Sequence, residues 1–488
     1  MNWQKRRGSS VLFPPTAISP LHQAARDFPQ QTAITLAGKS INYQTLSQQV
    51  IALGEQLTAL GIKEGNPVAC ISINNLEMIC LYWACIDIGA IFFPISPRFP
   101  TTQVQALIDT HQVGYYWSPT PNSALRHCSP LELQFNLLST QSAKSVDFTR
   151  PSNVILTSGS SGFPKAAVHC LANHIANAEG ARCVIPLEKG DAWLLSLPLF
   201  HIGGLAILNR CALVGASVAM PDPVISLNQQ ITRDKLTHVS LVPAQLIKLL
   251  SDENGKLESI KALLLGGGAI STDLLNQLKL RNIASFTSYG MTEMGSQITT
   301  GSALSDGSSG KLLPKRELKI ADGVIWVRGE CLFMGYLTDK GIEKPLDTDG
   351  WFYTKDRGEW DANGNLHILG RVDNMFICGG ENIQPEEIEA ALKQHPLIDD
   401  AIVFAEPDAQ FGHLPAAIVR GKITEDMTTI ATELEPFLAD KIARFKRPRH
   451  YYPWPEDSEQ MGLKVNRKSI VINIKSNKKN RKMNPISN

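Results

Sequence analysis

Between residues 157 and 165 the chain reads Thr157-Ser-Gly-Ser-Ser-Gly-Phe-Pro-Lys165, hydroxyls and glycines closed by one lysine. Glycines let successive backbone N–H groups turn inward as an anion nest, hydroxyls donate further hydrogen bonds, and the lysine supplies charge. The strand-like Val154-Ile-Leu156 directly before it would present such a loop at the end of a sheet. A phosphate-bearing ligand suits this pattern, although it is not a Walker A loop. Lys165 comes three residues after Gly162, and no Ser or Thr follows it. A second cluster, Ser288-Tyr-Gly-Met-Thr-Glu293, offers a ring that can stack on a nucleobase, a hydroxyl for a phosphate oxygen, and a carboxylate for Mg²⁺.

Such groups need elements to hold them. Short apolar runs alternate with helical stretches through most of the chain. Pro67 to Ile73 reads as a buried strand before a helix from Glu77 to Ile88, and Ile91 to Ile95 as a strand before a helix from Thr101 to Thr110. Ala262-Leu-Leu-Leu265, the loop Gly266-Gly-Gly268 and a helix capped by Ser271 repeat the unit. This alternation predicts parallel sheets with helices on their faces. From about Gly323 the texture changes to short alternating strands with turns such as Asp361-Ala-Asn-Gly364. A small α+β unit follows: a helix opening near Pro385, strands at Ala401 to Phe404 and Ala416 to Val419, and a helix from Leu434 to Phe445.

The chain has 488 residues, 43% hydrophobic and 19% charged, with a net charge of +1. Two or three soluble domains are expected, with no bulk attraction to nucleic acid or membrane. Nine scattered cysteines without a Cys-x-x-Cys pair argue against a zinc site or disulfide framework and for reduced thiols in the cytoplasm. The apolar run from Ala84 to Ile95 carries Asp87 and is too short to span a bilayer. Pro14 and Pro15 cut off Val11-Leu-Phe too soon for a signal peptide.

The segment 157–165 resembles the phosphate loop of the acyl-adenylate-forming superfamily, which includes acyl-CoA synthetases, luciferases and peptide-synthetase adenylation domains. Ala166 stands where that superfamily usually has glycine, and Ser160-Ser161 replace the commoner Ser/Thr-Thr, with no donor lost. The resemblance runs in order from Ile41-Asn-Tyr43 to Arg467. It implies an α/β fold with a large N-terminal domain, residues 1–370, of parallel-type sheets plus a small distorted β-barrel subdomain. A hinge at 371–374 would precede a small mobile C-terminal domain at 375–474 and a basic tail at 475–488.

The same resemblance assigns roles. Thr157, Ser158, Gly159, Ser160, Ser161, Gly162 and Lys165 would hold phosphates. Tyr289, between Ser288 and Gly290, would line the adenine; Thr292 would touch the α-phosphate and Glu293 would bind Mg²⁺. Gly266, Gly267 and Gly268 would form the adenine-side loop, with Gly266 beside the acyl group. Asp356 would accept both ribose hydroxyls, and Arg371 would bridge ribose and phosphate. In Gly462-Leu-Lys-Val-Asn-Arg467, where Leu463 splits the usual Gly-Lys pair, Lys464 aligns with the lysine that enters the site for adenylation. Asp373 matches the hinge residue, and Gly379 with Gly380 would line the thiol channel for coenzyme A. Cys378 reads as a packed core thiol. Lys441, Arg444, Lys446, Arg447 and Arg449 could meet CoA phosphates or form a plain solvated face.

His201, in Leu197-Pro-Leu-Phe-His-Ile-Gly-Gly204, matches the superfamily histidine that borders the acyl pocket. Arg210 follows in an apolar stretch, where it either snorkels to the surface or meets an anion. Within the superfamily the chain is most similar to the o-succinylbenzoate–CoA ligases of menaquinone biosynthesis. The similarity rests on Pro198-Leu-Phe-His201, His238 to Leu246, Leu264 to Ala269, and Gly379 to Glu387. It implies ATP, o-succinylbenzoate and CoA as substrates, with Arg210 meeting the benzoate carboxylate. A ligase for another aryl or medium-chain acid would have an indifferent Arg210. A non-catalytic relative would be expected to lack Lys464, Glu293 or Asp356, all present here. No carrier-domain serine motif or luciferin site is evident.

Overall fold

The computed structural model describes residues 16–157, 164–251, 257, 259–266, 272–303, 306–378, 381–408, 411–421, 427–439, 441–455, 467, 470–472, 474 and 486–487. Ser158 to Gly162, Gly267, Gly268, Ser271, Gly379, Gly380, Lys464 and residues 475–485 of the basic tail therefore lie outside the described residues.

The apolar run around residue 84 is an interior helix followed by a central strand. Asn75 caps the helix Leu76–Ile88 by accepting from Met78 N at 2.8 Å, and left-handed Gly89 (φ 78°) ends it. Every residue of the strand Ile91–Ile95 is buried. This strand lies between Pro67–Ile71 and Pro151–Thr157 in an eight-stranded sheet and runs parallel to both. Lys165–Cys170 continues that sheet antiparallel to Pro151–Thr157, with Thr157 opposite Lys165, and Gly335–Thr338 follows it. The strand Pro151–Thr157 is therefore followed in the chain by its own antiparallel partner Lys165–Cys170, not by a helix.

A nine-stranded sheet has six neighbouring parallel strands at its centre: Ser285–Met291, Ala262–Leu265, His238–Leu241, Ala192–Leu194, Ser217–Ala219 and Thr32–Leu36. Antiparallel partners flank this run at both ends. The predicted parallel character holds for the centre of the nine-stranded sheet, which turns antiparallel at both ends, and for one side of the eight-stranded sheet, which turns antiparallel only from Lys165–Cys170 outward. Gly266 and the turn Thr292–Met294 both follow the carboxyl ends of parallel strands, where open α/β sheets place ligands.

The run of consecutive antiparallel strands begins at Ser296–Ser302, earlier than Gly323. Arg316–Ala321, Val324–Gly329, Phe352–Trp360 and Leu366–Arg371 form a separate antiparallel sheet. Its Ile325, Val327, Phe352 and Leu366 share one core with Tyr289 and Met294, which ties this sheet to the end of the nine-stranded one.

The C-terminal unit has the helix Pro385–Leu392 and a sheet built from Ile398–Asp408, Gly412–Gly421, His450–Pro453 and Ile486–Ser487. Its second helix is Met427–Ala439, earlier at both ends than Leu434 to Phe445. Ala443 is extended (φ −59°, ψ 149°), and Pro448 holds Arg447 extended as well (φ −71°, ψ 133°), so the helix cannot continue. In the basic stretch, Lys446 pairs with Glu387 and Arg447 with Glu435. All nine cysteines are free, and Cys378 is packed in the C-terminal core, as expected. Among the described residues, no helix is long and apolar enough to cross a membrane.

Candidate active site

Three groups, two from paired strands and one from a turn, converge at Lys165, Tyr336 and Glu293. Strand pairing sets Ala167 opposite Tyr336 and brings the Lys165 ammonium 4.8 Å from the centre of the Tyr336 ring. The Tyr336 hydroxyl donates to Glu293 Oε1 at 2.6 Å. Burial first, then the neighbouring Glu293 carboxylate, pushes the Tyr336 phenol well above its ordinary range, so it remains a donor. Among the described residues, Tyr336 is the sole hydrogen-bond partner of that carboxylate. Glu293 is only 8% exposed and keeps acceptor capacity on hard oxygens, which fits Mg²⁺.

The turn carrying Thr292 and Glu293 is held from behind. Phe333 N donates to Glu293 O at 2.8 Å, and His169 Nε2 lies 2.8 Å from Thr292 O, so this ring nitrogen carries the proton. Gly290 precedes the turn at a break in strand register, where a Cβ would stand 2.1 Å from Ser296 O. No other residue fits there.

His169 is fully buried against His174, and burial lowers its pKa to about 4. The sign of the resulting pH dependence is fixed. The unfolded histidine binds a proton below about pH 6.5 and the folded one does not, so stability falls as pH drops from that value toward the folded pKa. At pH 5 His169 should cost about 2 kcal/mol relative to pH 7. Thermal unfolding of the wild type and His169→Gln at both pH values checks this, with a smaller acid loss expected in the variant.

The Tyr289 hydroxyl meets a carboxylate to which Arg371 also donates. Asp356 and Arg371 face each other across paired strands. Arg371 Nη1 donates to Asp356 Oδ1 at 2.9 Å, and the Tyr289 hydroxyl donates to Asp356 Oδ2 at 2.6 Å. Burial and then Asp356 raise the Tyr289 phenol, which stays protonated. Arg371 also donates through Nε to Asp373 Oδ1 at 2.9 Å. Gln384 from the C-terminal unit donates to the Arg371 carbonyl at 3.0 Å. Arg371 orients the Asp356 carboxylate, an acceptor-only group of the kind that meets sugar hydroxyls.

Gly266 sits beside Ser288, whose Oγ would lie 3.6 Å from a Cβ on that glycine. His201 precedes the helix Ile202–Val214, on which Arg210 lies. Arg210 does not snorkel. It is 4% exposed, and its guanidinium lies 5.4 Å from the centre of the Trp193 ring. Burial first, and then Arg316, lower its pKa to about 9. No carboxylate among the described residues pairs with it, and its Nε is unpartnered.

Pairing and contact thus join Thr157 to Lys165, Lys165 through Tyr336 to Glu293, and Tyr289 through Asp356 to Arg371 and Asp373, with Ser288, Gly290 and Thr292 carried on the same stretch as Tyr289 and Glu293. Tyr336 and His169 were not anticipated from sequence. Each is an isolated residue in an apolar strand whose role comes from cross-strand pairing, so no local pattern marks it.

The sequence profile of the AMP-binding enzyme family matches residues 21–337, and that of the AMP-binding enzyme C-terminal domain matches residues 387–459. The chain belongs to the AMP-binding enzyme family. Its similarity extends to 2-succinylbenzoate–CoA ligases: the protein of that name from Haemophilus influenzae is 36% identical over 450 residues, covering 91% of this chain and 95% of the relative. A variant of E. coli MenE with bound OSB-AMS has a TM-score of 0.85 at 31% identity, over 95% of this chain and 99% of that one. Bacillus subtilis MenE, an o-succinylbenzoate coenzyme A synthetase in complex with ATP and magnesium ion, has a TM-score of 0.82 at 26% identity, over 93% and 100%.

Proposed function

We propose that this chain is an AMP-forming acid–CoA ligase that activates 2-succinylbenzoate with ATP and passes the acyl group to coenzyme A, within menaquinone biosynthesis. The observation that carries the choice of acid is Arg210, a buried guanidinium with no carboxylate partner among the described residues. The substrate has two carboxylates: the aliphatic one is activated, and the benzoate one would supply the missing anion.

In the first half-reaction, an oxygen of the aliphatic carboxylate attacks the α-phosphorus of ATP. The new carboxyl–phosphorus bond forms as the bond to pyrophosphate breaks. The protein has little covalent work to do, so position and charge dominate. Thr157, residues 158–162 and Lys165 hold the phosphates. Tyr289 lies against the adenine, with Gly267 and Gly268 at its edge. Asp356 accepts the ribose hydroxyls, and Arg371 bridges ribose and phosphate. Glu293 would hold Mg²⁺, which neutralises phosphate charge when bound. Thr292 meets the α-phosphate, and Lys464 enters from the C-terminal domain.

In the second half-reaction, the CoA thiolate attacks the acyl carbon and AMP leaves. Residues 371–374 serve as the hinge between the domain at 1–370 and that at 375–474. Rotation about Asp373 brings Gly379 and Gly380 to the thiol channel. Arg371 holds Asp373 and Asp356 together, so nucleotide contact and hinge share one side chain. The nine free cysteines support a cytoplasmic location.

Pyrophosphate release over o-succinylbenzoate, benzoate, succinate and octanoate, followed by mass detection of the thioester, tests the reading. Only o-succinylbenzoate is expected to give both products; preference for another acid would contradict it. Arg210→Ala should lower kcat/KM for the acid by about 10- to 150-fold, the worth of a lost charge-assisted contact, with the KM for ATP preserved. Unchanged acid kinetics would remove Arg210 from the acyl site.

A further inference from the structure

Asn177 belongs to none of the motifs, yet it joins three parts of the molecule. It lies on the helix Leu171–Arg182 and is 1% exposed. Its Oδ1 accepts from Arg210 Nη2 at 3.2 Å. Its Nδ2 donates to the carbonyls of Met294 at 3.1 Å and Gln297 at 3.3 Å, just after Glu293. Its own carbonyl accepts from Arg316 Nη2 at 3.2 Å.

Two buried guanidiniums therefore share one asparagine, and they differ in how they are satisfied. Arg316 also donates Nε to Gln297 O at 2.7 Å and Nη1 to Pro314 O at 2.6 Å, so carbonyls surround it. Arg210 has the Asn177 amide and the Trp193 ring, while its Nε finds no partner. An amide oxygen fixes one edge of a guanidinium without cancelling its charge. A carboxylate in the same place would cancel it.

We propose that Asn177 is a positioning residue that sets the acyl site's specificity for an acid bearing a second, distal carboxylate. It holds Arg210 through a neutral acceptor, which keeps the charge of that guanidinium available to an anionic acyl group. Through Nδ2 it also registers Arg210 against the turn that carries Glu293. This inference rests on the reading of Arg210 given under the proposed function.

The test compares 2-succinylbenzoate with β-benzoylpropionate, the same keto acid without the ring carboxylate. The readout is the ratio of kcat/KM for the two acids on one preparation, so any misfolded fraction cancels. Wild type should favour the dicarboxylate by about tenfold or more, the worth of one charge-assisted contact. Asn177→Asp should reduce that ratio by about tenfold, because the new carboxylate pairs with Arg210 internally. Asn177→Ala should reduce it less, since Arg210 loses its anchor and keeps its charge. A wild-type ratio in Asn177→Asp would overturn the inference. If the wild type itself does not distinguish the two acids, the reading of Arg210 falls, and this inference with it.

Discussion

Glu293→Gln is expected to slow acyl-AMP formation by about 10²- to 10³-fold, the range for removing one preorganised group that meets developing charge. The variant keeps an amide oxygen where Tyr336 donates, so the turn and its bonds to Phe333 and His169 should persist. What disappears is the negative charge needed to hold a divalent cation against the phosphates. Acid-dependent exchange of labelled pyrophosphate into ATP isolates this step. Thioester formation from supplied acyl-AMP should be far less affected, because no pyrophosphate leaves there. Equal losses in the two half-reactions would mean that Glu293 supports the fold rather than the adenylation step.

Asp356→Ala should lower kcat/KM for ATP by about 10²- to 10⁴-fold, from two lost charge-assisted contacts at roughly 1.5–3 kcal/mol each. The loss has two sources. The ribose loses its acceptor, and Arg371 and Tyr289 lose the group that orients them. Asp356→Asn retains one acceptor oxygen and should fall between the variant and wild type. Initial rates over a range of ATP at saturating acid measure the effect. A normal KM for ATP with a raised KM for the acid would move Asp356 out of the nucleotide site.

The parts of the site that occupy consecutive residues were readable before any fold was known. The hydroxyl–glycine–lysine run at 157–165 and the Ser288 to Glu293 hexamer carry their chemistry in one short stretch. Strands and helices with unbroken apolar runs, such as Ile91–Ile95, were equally plain. Groups assembled by pairing were not. Tyr336 reaches Glu293 only because Gly335–Thr338 adds to the sheet beside Lys165–Cys170, and that pairing spans well over a hundred residues of chain. Asn177 looks like an ordinary polar residue in a helix until two arginines arrive from elsewhere. The early end of Met427–Ala439 goes with the extended backbone at Ala443, which stops a helix short of Phe445 and which no residue type there marks.

The most direct test follows the oxygen of the acid. 2-Succinylbenzoate carrying a heavy-oxygen label in its aliphatic carboxylate is turned over with ATP, Mg²⁺ and CoA, and the nucleotide product is weighed by mass spectrometry. Attack of that carboxylate on the α-phosphorus predicts one labelled oxygen in AMP and none in pyrophosphate. Label in inorganic phosphate, with ADP as the nucleotide product, would mean that activation runs through an acyl phosphate and would contradict the account.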